Sequence, residues 1–512
     1  MLSVSLFVEL LRTRPRQMFW AAMLAQATLW TLIPALFYSA PPGQLAEVLA
    51  VGHEWQLGTD YGPPLAYWIA NTAHVIAGMF GVYLVSQICI VVTGWAIFTL
   101  GRAVVGEPQA AVAVFLMAGI SAFTVPTPEF GPNILATALW ALVLAHYWLA
   151  AGKGQQTHWY VVGVEIGLLI LTTYAGLVLA LLLLAFTLAT RHGRERLMTV
   201  YPWIAGVLIV LVVFPHLIWL DQTDSAALIN PSVIAENVRT WGRIVMSLVI
   251  AHAGFIVLVV VAYGFSWAPR GPAAQIERKP VDPQARLFIY FFALAPVVVI
   301  GLYSLVTNRP DSFVSTPLVV LSGLAIVVAS PDKLRITYQR LTAIVWVGLL
   351  VVPPLIIALS VAVLPWIYPI DMRIAQPAGE MGPFFADSFQ RRTGRRLEIV
   401  AGEPRIAALV ALTAPVRPSL FLDATPERTP WVNRKDIEEK GAVVVWPATD
   451  VRGLPPASLR ERFPNLVPEV PRAFARRFQG RLPLVRIGWA VIRPSAQGSG
   501  AQGPGQGPAP TR

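Results

Sequence analysis

Four carboxylates stand in two short polar segments that interrupt a very apolar chain. The first segment, residues 39–78, holds Glu47, Glu54 and Asp60. The second holds Glu129 and is also flanked by apolar runs. A carboxylate at the edge of a low-dielectric region is a good proton acceptor, because desolvation raises its pKa toward neutrality. These residue types are suited to general-base chemistry at the surface of the structure that the apolar runs build.

The four carboxylates are not equivalent candidates for the base. Glu47 lies three residues after Gln44, so both side chains can share one face of a predicted helix. Glu54 is also a candidate, although it could simply cap or pair within the loop. Asp60 adjoins a Pro-Pro turn, so its simplest interpretation is a turn residue. Glu129 precedes a predicted helix and either binds an acceptor or caps that helix.

Two short helices are predicted to position the first three acids. The stretch "PPGQLAEVLAVGHEWQLG" carries apolar residues at helical spacing from Gln44 onward, which predicts a helix lying in the membrane interface. Residues 65–78 predict a second interfacial helix, with Tyr67 and Trp68 at headgroup depth. Simple membrane anchoring remains an alternative role for both helices.

The rest of the chain is apolar enough to build a membrane bundle. The 512 residues are 55% hydrophobic and 13% charged, with a mean hydropathy of +0.60. A helical run of about 20 apolar residues crosses the roughly 30 Å hydrocarbon core of a bilayer. The sequence therefore predicts a mainly α fold, a polytopic membrane helical bundle of about 11 spans. They lie near 17–38, 79–100, 109–125, 133–151, 158–173, 174–190, 202–220, 243–265, 287–306, 313–330 and 343–368.

Basic residues are distributed unequally between alternate loops. With the N-terminus inside, fifteen Lys and Arg fall in inner loops and three fall in outer loops before residue 370. Cytoplasmic loops carry such an excess. The first apolar run is too long for a signal peptide and predicts a retained anchor. The prediction is a multi-pass membrane protein, with its N-terminus cytoplasmic and residues after 370 on the outer side. The net charge of +11 then follows from topology and does not indicate nucleic-acid binding.

The acids show the opposite bias. Only Glu165 lies inside a predicted span, where a structural pairing with a neighbouring span is the simpler interpretation. A transporter typically places its ionisable groups within the membrane, so this pattern disfavours a transporter and places the chemistry at the outer surface. The acids of the outer loops are Glu47, Glu54, Asp60, Glu129, Asp221, Asp224, Glu236 and Asp311.

Composition divides the chain into three parts. Residues 1–370 form the predicted transmembrane domain, and residues 496–512 a disordered tail rich in Gly, Pro and Gln. Between them, residues 371–495 alternate short apolar runs with helical stretches, which predicts a small periplasmic α/β domain. Its predicted strands are "RLEIVA", "SLFLD", "GAVVVW" and "LVRIGWAVI", and its predicted helices are 403–414 and 434–440.

No cofactor motif accompanies these residues. The single cysteine, Cys89, lies inside an apolar run and can form neither an intrachain disulfide nor a zinc knuckle. The chain has no Gly-rich phosphate loop, HExxH or CxxC pattern in a suitable context, which disfavours direct use of a nucleotide. His53, Glu54 and Asp60 are residue types that bind divalent cations, but their spacing fits no standard site. The sequence therefore leaves a divalent cation open.

The order of these features resembles a known family. Gln44 to Glu47, "VGHEW", Gly58 and "YGPPL" follow one another in the first segment, and "PTPEFGPNILATALWAL", "LTTYAGL" and "FPHLIWL" follow later. Together they resemble the bacterial family 39-type membrane glycosyltransferases of C-type fold. That group includes lipopolysaccharide-core galacturonosyltransferases, aminoarabinose transferases and protein O-mannosyltransferases. "IVAGEPRIAAL" and "PWVNRKDIEEKGAVVVW" resemble the soluble C-terminal domain of the bacterial branch, so the resemblance covers nearly the whole chain.

The resemblance implies transfer of a hexosyl or pentosyl group from an undecaprenyl-phosphate carrier to a hydroxyl of a lipid or glycan acceptor, as in lipopolysaccharide modification. The implied partners are this polyprenyl-phosphate donor, the acceptor and membrane lipids. The catalytic candidates are Glu47, Glu54 and Asp60. The substrate-binding candidates combine positions that match the family with outer-loop arginines: Glu129, Asn133, Tyr61, Tyr174, His216, Arg239, Arg243 and Arg309.

Three positions depart from the family pattern. Where the family has an aspartate as base, this chain has Gln44, whose amide cannot accept a proton at neutral pH. Glu47, which can share a helix face with Gln44 and also matches an acid of the family, therefore ranks first among the candidate bases. The lysine that would contact the donor phosphate is replaced by Tyr61, and a later lysine by Thr173. These departures leave an alternative open: a catalytically inactive relative that acts as a lipid-glycan binding or assembly partner.

The charge bias gives a testable topology. Alkaline phosphatase, which is active only outside the cytoplasm, is expected to be active when fused after residue 370 and inactive when fused at residue 195. A fluorescent protein that folds only in the cytoplasm should give the reverse pattern. If both reporters gave the opposite results, the outer location of the acidic segments would be wrong.

Overall fold

The computed structural model of the chain comprises two compact units. The first unit is Met1–Ala375 with Gly480–Leu482, and the second is Gln376–Gln479 with Pro483–Arg512. The residues that the structure describes are 2–59, 61–222, 234–263, 274–277, 280–306, 316–331, 333–336, 338–421, 431–448 and 452–495.

Helices dominate the first unit, with one short antiparallel pair of strands, β1 (Ala274–Glu277) and β2 (Lys333–Ile336). Its helices are α1 (Leu2–Thr13), α2 (Pro15–Phe37), α3 (Leu45–His53), α4 (Leu65–Val104), α5 (Glu107–Met117), α6 (Pro132–Tyr147), α7 (His158–Ile170), α8 (Ala175–Ala189), α9 (Arg191–Leu197), α10 (Tyr201–Gln222), α11 (Ile234–Ala251), α12 (Ala253–Tyr263), α13 (Pro283–Val306), α14 (Ser322–Ala329), α15 (Gln339–Ala362) and α16 (Leu364–Ile367).

The first unit is a multi-span membrane bundle, as the sequence predicts. Among the described residues, seven helices are long and apolar enough to cross a membrane, and the pair α8 and α9, bent by 103°, makes an eighth if counted as one span. The number eleven is not confirmed. Three predicted spans are shorter apolar helices instead, namely Glu107–Met117, His158–Ile170 and Pro317–Ala329. Hydropathy reports where a segment is apolar but not where its helix breaks.

Both short helices predicted in residues 39–78 are present. α3 begins directly after Gln44 and buries most of its residues against α4. The second helix is the first part of α4, which loses helical geometry at Ala77 and Gly78. Gly78 has a φ of +57°, a conformation that strains residues with a Cβ atom. The break therefore separates the short helix from the span that follows it.

Residues 118–131, between α5 and α6, form turns and a short 3₁₀ helix (Ser121–Phe123), whereas the hydropathy predicts a membrane helix as far as residue 125. Irregular backbone among apolar helices must have its polar groups satisfied by protein. Gln26 of α2 donates to the carbonyl of Phe123 at 2.5 Å, and Gln87 of α4 donates to Oγ1 of Thr127 at 3.0 Å. Ser86 also donates to the carbonyl of Thr127. These buried side chains fix the loop that carries Glu129.

Glu165, the acid predicted inside a span, has a partner on the neighbouring helix. Its Oε1 lies 2.8 Å from Nδ1 of His146 on α6, and both side chains are largely buried. The ring of His158 stacks on that of His146 at 5.2 Å. This pairing agrees with the structural role that the sequence favoured for Glu165, because a buried carboxylate requires a partner.

The second unit is an α/β domain built on a five-stranded sheet with the order β4-β3-β5-β7-β6. β4, β3 and β5 are parallel, whereas β7 and β6 are antiparallel to their neighbours. All four predicted strand segments contain a strand, and both predicted helices are present; β6, α17 and α20 were not predicted. The elements are α17 (Ala378–Thr393), β3 (Ile399–Gly402), α18 (Pro404–Thr413), β4 (Ser419–Leu420), α19 (Arg434–Lys440), β5 (Ala442–Pro447), α20 (Ala457–Arg462), β6 (Arg472–Phe474) and β7 (Val485–Ile492).

Trp446 on β5 is one of the largest fully buried side chains of the protein. It is 0% exposed, and its Nε1 donates to the carbonyl of Gly453 at 3.0 Å. Gly488 on β7 leaves room for the indole, since a Cβ atom there would lie 2.1 Å from Nε1. The tryptophan therefore links β5, β7 and the loop after β5.

Replacing this tryptophan gives a stability prediction. Trp446→Ala is expected to destabilise the second unit by about 3–5 kcal/mol, because it removes a large buried side chain and leaves a cavity. Limited proteolysis of the full-length protein in detergent, followed with temperature, measures the loss. Leu454→Ala, at a residue that is 62% exposed, is the control and should change stability by no more than about 0.5 kcal/mol. Equal proteolysis of both variants would contradict the packing described here.

Candidate active site

The carboxylate of Glu129 meets the beginning of α3. Its Oε1 accepts a hydrogen bond of 2.8 Å from the backbone N–H of Gln44, the residue that precedes the helix. The first N–H groups of a helix have no partner within the helix, and its N-terminus attracts negative charge. Glu129 therefore caps α3. The sequence suggested instead that it could cap α6, the helix that follows it in the chain. One hydrogen bond thus joins the first and second polar segments.

Gly43 makes this contact sterically possible. It has a φ of +52°, and a Cβ atom at this position would lie within 2.0 Å of the carboxylate atoms of Glu129. A side chain there would displace the carboxylate and strain the backbone. The turn before α3 therefore leaves room for the carboxylate of Glu129, which belongs to the second polar segment.

Glu47 and Glu54 lie on the same short helix as this contact. Glu47 is in the first turn of α3 and is half-buried, with its Oε2 inside the protein. Glu54 follows the last residue of α3, and its Oε1 is also buried. The structure thus brings Glu47 and Glu129 to the N-terminal end of α3 and places Glu54 at the opposite end. Asp60, the third predicted catalytic residue, lies outside the described residues.

The loop that follows α3 is held in place by its own hydrogen bonds and by α4. Thr59 and Gly62 exchange backbone hydrogen bonds of 3.1 and 3.0 Å, which makes a tight turn around Tyr61. Tyr67 donates from its hydroxyl to the carbonyl of Tyr61, and Trp68 donates from Nε1 to the carbonyl of Gln56. Tyr61 itself is 44% exposed.

His216 and Tyr174 anchor the same loop from the other side. Nδ1 of His216 lies 2.7 Å from the carbonyl of Leu57, so this nitrogen carries the proton and donates. The Tyr174 hydroxyl lies 3.1 Å from Nε2 of the same ring. Trp219, one turn further along α10, lies against Gly58, where a Cβ atom would be 2.5 Å from the indole. The segment "FPHLIWL" therefore positions the loop, and substrate contact by His216 and Tyr174 stays a prediction.

The remaining predicted binding residues are less closely tied to this end of the bundle. Asn133 is half-buried in the first turn of α6, four residues after Glu129. Arg243 is exposed on α11. The side chain of Arg239 and the whole of Arg309 lie outside the described residues. Their roles in binding stay predictions.

Two features near the site were not predicted. Trp55 has a φ of +52°, which is unusual for a bulky residue, and is 55% exposed beside Trp68, with 6.2 Å between ring centroids. The backbone N–H groups of Ser39 and Ala40 both donate to the carbonyl of Ile374, at 2.9 and 3.1 Å. This second contact joins residues more than 300 positions apart, and no sequence pattern marks it.

The described residues offer no ready metal site. No group of three or more His, Cys, Asp or Glu side chains within the described part of the chain is placed to hold a metal ion. Of the three predicted possible ligands, His53 and Glu54 are among the described residues and Asp60 is not. The site presents carboxylates, which can accept a proton, and exposed aromatic rings. Together these groups suit a ring compound that carries hydroxyl groups.

Comparison with known proteins bears on this arrangement. Residues 61–219 match the model of the family described as dolichyl-phosphate-mannose-protein mannosyltransferase. This range includes Glu129, the turn at Tyr61, and the anchors Tyr174 and His216. A comparison with curated protein sequences found no match.

Solved structures share the fold across the whole chain. ArnT from Cupriavidus metallidurans in the apo state superposes with a TM-score of 0.57 at 12% sequence identity, covering 92% of this chain and 97% of ArnT. The same protein bound to undecaprenyl phosphate gives a TM-score of 0.54 at 14% identity, with the same coverage. The predicted resemblance is thereby confirmed. The chain is a multi-span membrane protein with the fold of the C-type glycosyltransferases, and its residues 61–219 match the dolichyl-phosphate-mannose-protein mannosyltransferase family.

Proposed function

We propose that this protein transfers a hexosyl or pentosyl group from an undecaprenyl-phosphate carrier to a hydroxyl group of a lipid or glycan acceptor. The proposed location is the periplasmic face of a bacterial inner membrane, and the proposed role is modification of the cell envelope. The observation that carries the proposal is the contact of Glu129 with the N–H of Gln44, which gathers the acids of two segments at one end of α3. The similarity to ArnT bound to undecaprenyl phosphate supports the choice of carrier.

The reaction is a displacement at the anomeric carbon of the sugar. The acceptor oxygen forms a bond to that carbon while the bond from the carbon to the phosphate oxygen breaks. The acceptor proton passes to a protein base, and the phosphate departs on its lipid with the bonding electrons. The carrier ester is already activated, so the transfer requires no nucleotide. The protein must therefore supply a base, a surface for the sugar and positive charge for the phosphate.

Glu47 is the proposed base. Glu129 has one oxygen engaged with the backbone of Gln44, so its clearest role is to hold the turn. Glu47 lies one turn along the same helix and is half-buried, which places a carboxylate beside the turn that Glu129 fixes. General-base catalysis by a positioned carboxylate contributes roughly 10²–10⁴ in rate. Glu54 and Asp60 remain alternative bases under this proposal.

Exposed aromatic rings would hold the sugar. Trp55 and Tyr61 extend from the loop after α3, and their rings are 55% and 44% exposed. Aromatic rings with an apolar face and a polar edge suit a ligand that is partly apolar and partly hydroxylated. The hydrogen bonds from Trp68, Tyr67 and His216 fix the loop backbone, so these rings are presented by a rigid support.

A second candidate function is binding of a lipid-linked glycan without catalysis. Gln44 is exposed and its amide cannot act as a base. The later of the two lysines in the family pattern is replaced by Thr173. This threonine is buried, and its Oγ1 accepts a hydrogen bond from the N–H of Ala175. Absence of transfer with every carrier-linked sugar tested, together with retained binding, would favour this second function.

Neutralising Glu47 tests the proposed base. Glu47→Gln keeps the size of the side chain and removes its ability to accept a proton, so the transfer rate is expected to fall by roughly 10²–10⁴. The measurement is sugar transfer from undecaprenyl-phosphate-linked donors in membranes containing the protein. The matched control is Glu195→Gln, at an exposed acid paired with Arg191 on α9, which should transfer at the native rate. Native activity in Glu47→Gln would exclude Glu47 as the base.

Glu129 is expected to respond differently to two substitutions. Glu129→Gln retains an oxygen that can accept from the N–H of Gln44, so most transfer activity should remain. Glu129→Ala leaves that N–H without this acceptor, a loss of about 1.5–3 kcal/mol for a hydrogen bond to a charged group, and activity should fall much further. Kinetic comparison of the two variants in the same membranes gives the answer. If Glu129→Gln were as inactive as Glu129→Ala, the charge rather than the hydrogen bond would be required, and Glu129 would replace Glu47 as the proposed base.

A further inference from the structure

We infer that the bent helix pair α8 and α9, together with the exposed face of α10, binds an anionic phospholipid of the inner leaflet, on the side that the charge bias predicts to be cytoplasmic. The acyl chain lies along α10, and the phosphate headgroup meets the arginines of α9. The site begins at Trp203, roughly 20 Å along α10 from His216, which anchors the candidate active site. It is therefore separate from that site, and the inference does not rest on the proposed transfer reaction.

α9 places positive charge at the end of the apolar helix α8. It turns from α8 by 103°, so it crosses the end of that helix instead of continuing it. Arg191 and Arg194 are exposed, and Arg196 lies against Gly154, where a Cβ atom would be 2.5 Å from its guanidinium. The acid of α9, Glu195, pairs with Arg191 at 3.2 Å, and this pair is weak because both side chains are largely in solvent. The helix therefore keeps a net positive charge, which attracts anionic headgroups.

α10 carries a shallow apolar groove that begins beside α9. Its volume is about 550 Å³, and it is lined by Trp203, Gly206, Val207, Val210, Leu211 and Phe214. The five lining side chains are each more than half exposed, and the position of a Cβ atom at Gly206 is open space among the described residues. From Trp203 to Phe214 the groove is roughly 16 Å long, about half of the roughly 30 Å hydrocarbon core of a bilayer. It therefore fits the acyl chain of a lipid in one leaflet.

One hydrogen bond joins the groove to the basic helix. Nε1 of Trp203 donates to the carbonyl of Leu197, the last residue of α9, at 3.0 Å. This bond engages the polar atom of the indole, so the groove offers a ligand apolar contacts. Nη1 of Arg194 donates to the carbonyls of Leu188 and Ala189 at 2.9 and 3.2 Å, which fixes the bend and leaves other guanidinium N–H groups for a phosphate. A molecule that is anionic at one end and apolar along its length matches this arrangement.

A phospholipid fits this surface better than a second copy of the chain does. Two copies in one membrane have the same orientation, so pairing their α10 faces about a twofold axis brings the two α9 helices together. The arginines of the two helices would then repel each other. An anionic lipid instead neutralises the same charges.

Lipid binding to the full-length protein in detergent, measured by native mass spectrometry, tests the headgroup contact. Phosphatidylglycerol and phosphatidylcholine with the same acyl chains are titrated, and the native protein is expected to bind phosphatidylglycerol more tightly. Arg191→Gln should weaken phosphatidylglycerol binding roughly fivefold, as for one basic residue near anionic lipid, and leave phosphatidylcholine binding unchanged. Arg191→Lys should retain the preference. The matched control is Arg12→Gln, at an exposed arginine that also pairs with an acid of its own helix, Glu9, and it should bind both lipids as the native protein does.

Filling the notch in α10 tests the acyl-chain groove. Gly206→Leu places a side chain in the groove and should weaken the binding of both lipids about fourfold or more, as for loss of one buried methylene. Gly348→Leu is the matched control, because Gly348 also lies in a membrane helix, α15, with open space at its Cβ position among the described residues. This control should leave the binding of both lipids unchanged.

Equal affinity of the native protein for the two lipids would overturn the inference. So would either variant that behaves like its control, Arg191→Gln like Arg12→Gln or Gly206→Leu like Gly348→Leu. A dimer of the native protein that Gly206→Leu dissociates would assign the groove to a second copy instead. Displacement of phosphatidylglycerol by an equal concentration of undecaprenyl phosphate would assign the groove to the proposed carrier.

Discussion

The candidate site depends on one hydrogen bond, from the backbone N–H of Gln44 to the carboxylate of Glu129. It joins two segments that are 85 residues apart in sequence and gives the first N–H groups of α3 a negative partner. Gly43 must lack a side chain for the carboxylate to fit. Without this contact, α3 would still pack against α4, but its first turn, which carries Glu47, would not be joined to the second polar segment. With it, the acids of both segments share one end of α3, which is the arrangement that a proton-accepting site requires.

The apolar surroundings explain why so many polar side chains serve as supports. Irregular backbone is tolerated among membrane helices only where protein groups satisfy it. Gln26 and Gln87 hold the loop that carries Glu129, and His216 and Trp68 hold the loop that carries Tyr61. The loops that carry Glu129 and Tyr61 are thus each held by side chains from two helices, and Trp55, on the second of these loops, is 55% exposed.

Local patterns in the sequence predicted the elements well, and contacts between distant segments not at all. Apolar residues at helical spacing predicted α3, and short apolar runs predicted β3, β5 and β7 of the second unit. A buried strand can be recognised in the sequence because nearly all of its residues are apolar. Residues 118–125 were predicted as the end of a membrane helix but form turns and a short 3₁₀ helix, since hydropathy cannot register a loop whose polar groups are satisfied by buried glutamines. The placement of Glu129 against α3, and of Ile374 against Ser39, follows from packing of the whole bundle, so the sequence indicated these residues without indicating their partners.

The central claim is that Glu129 ties the two polar segments together at the start of α3. An experimental structure of the protein in a lipid nanodisc, determined by electron cryomicroscopy, tests this most directly. The account predicts an Oε1 of Glu129 at 2.8 Å from the backbone nitrogen of Gln44, with Glu47 on the adjoining turn. A Glu129 side chain directed away from α3, beyond the roughly 3.2 Å limit of such a hydrogen bond, would contradict it.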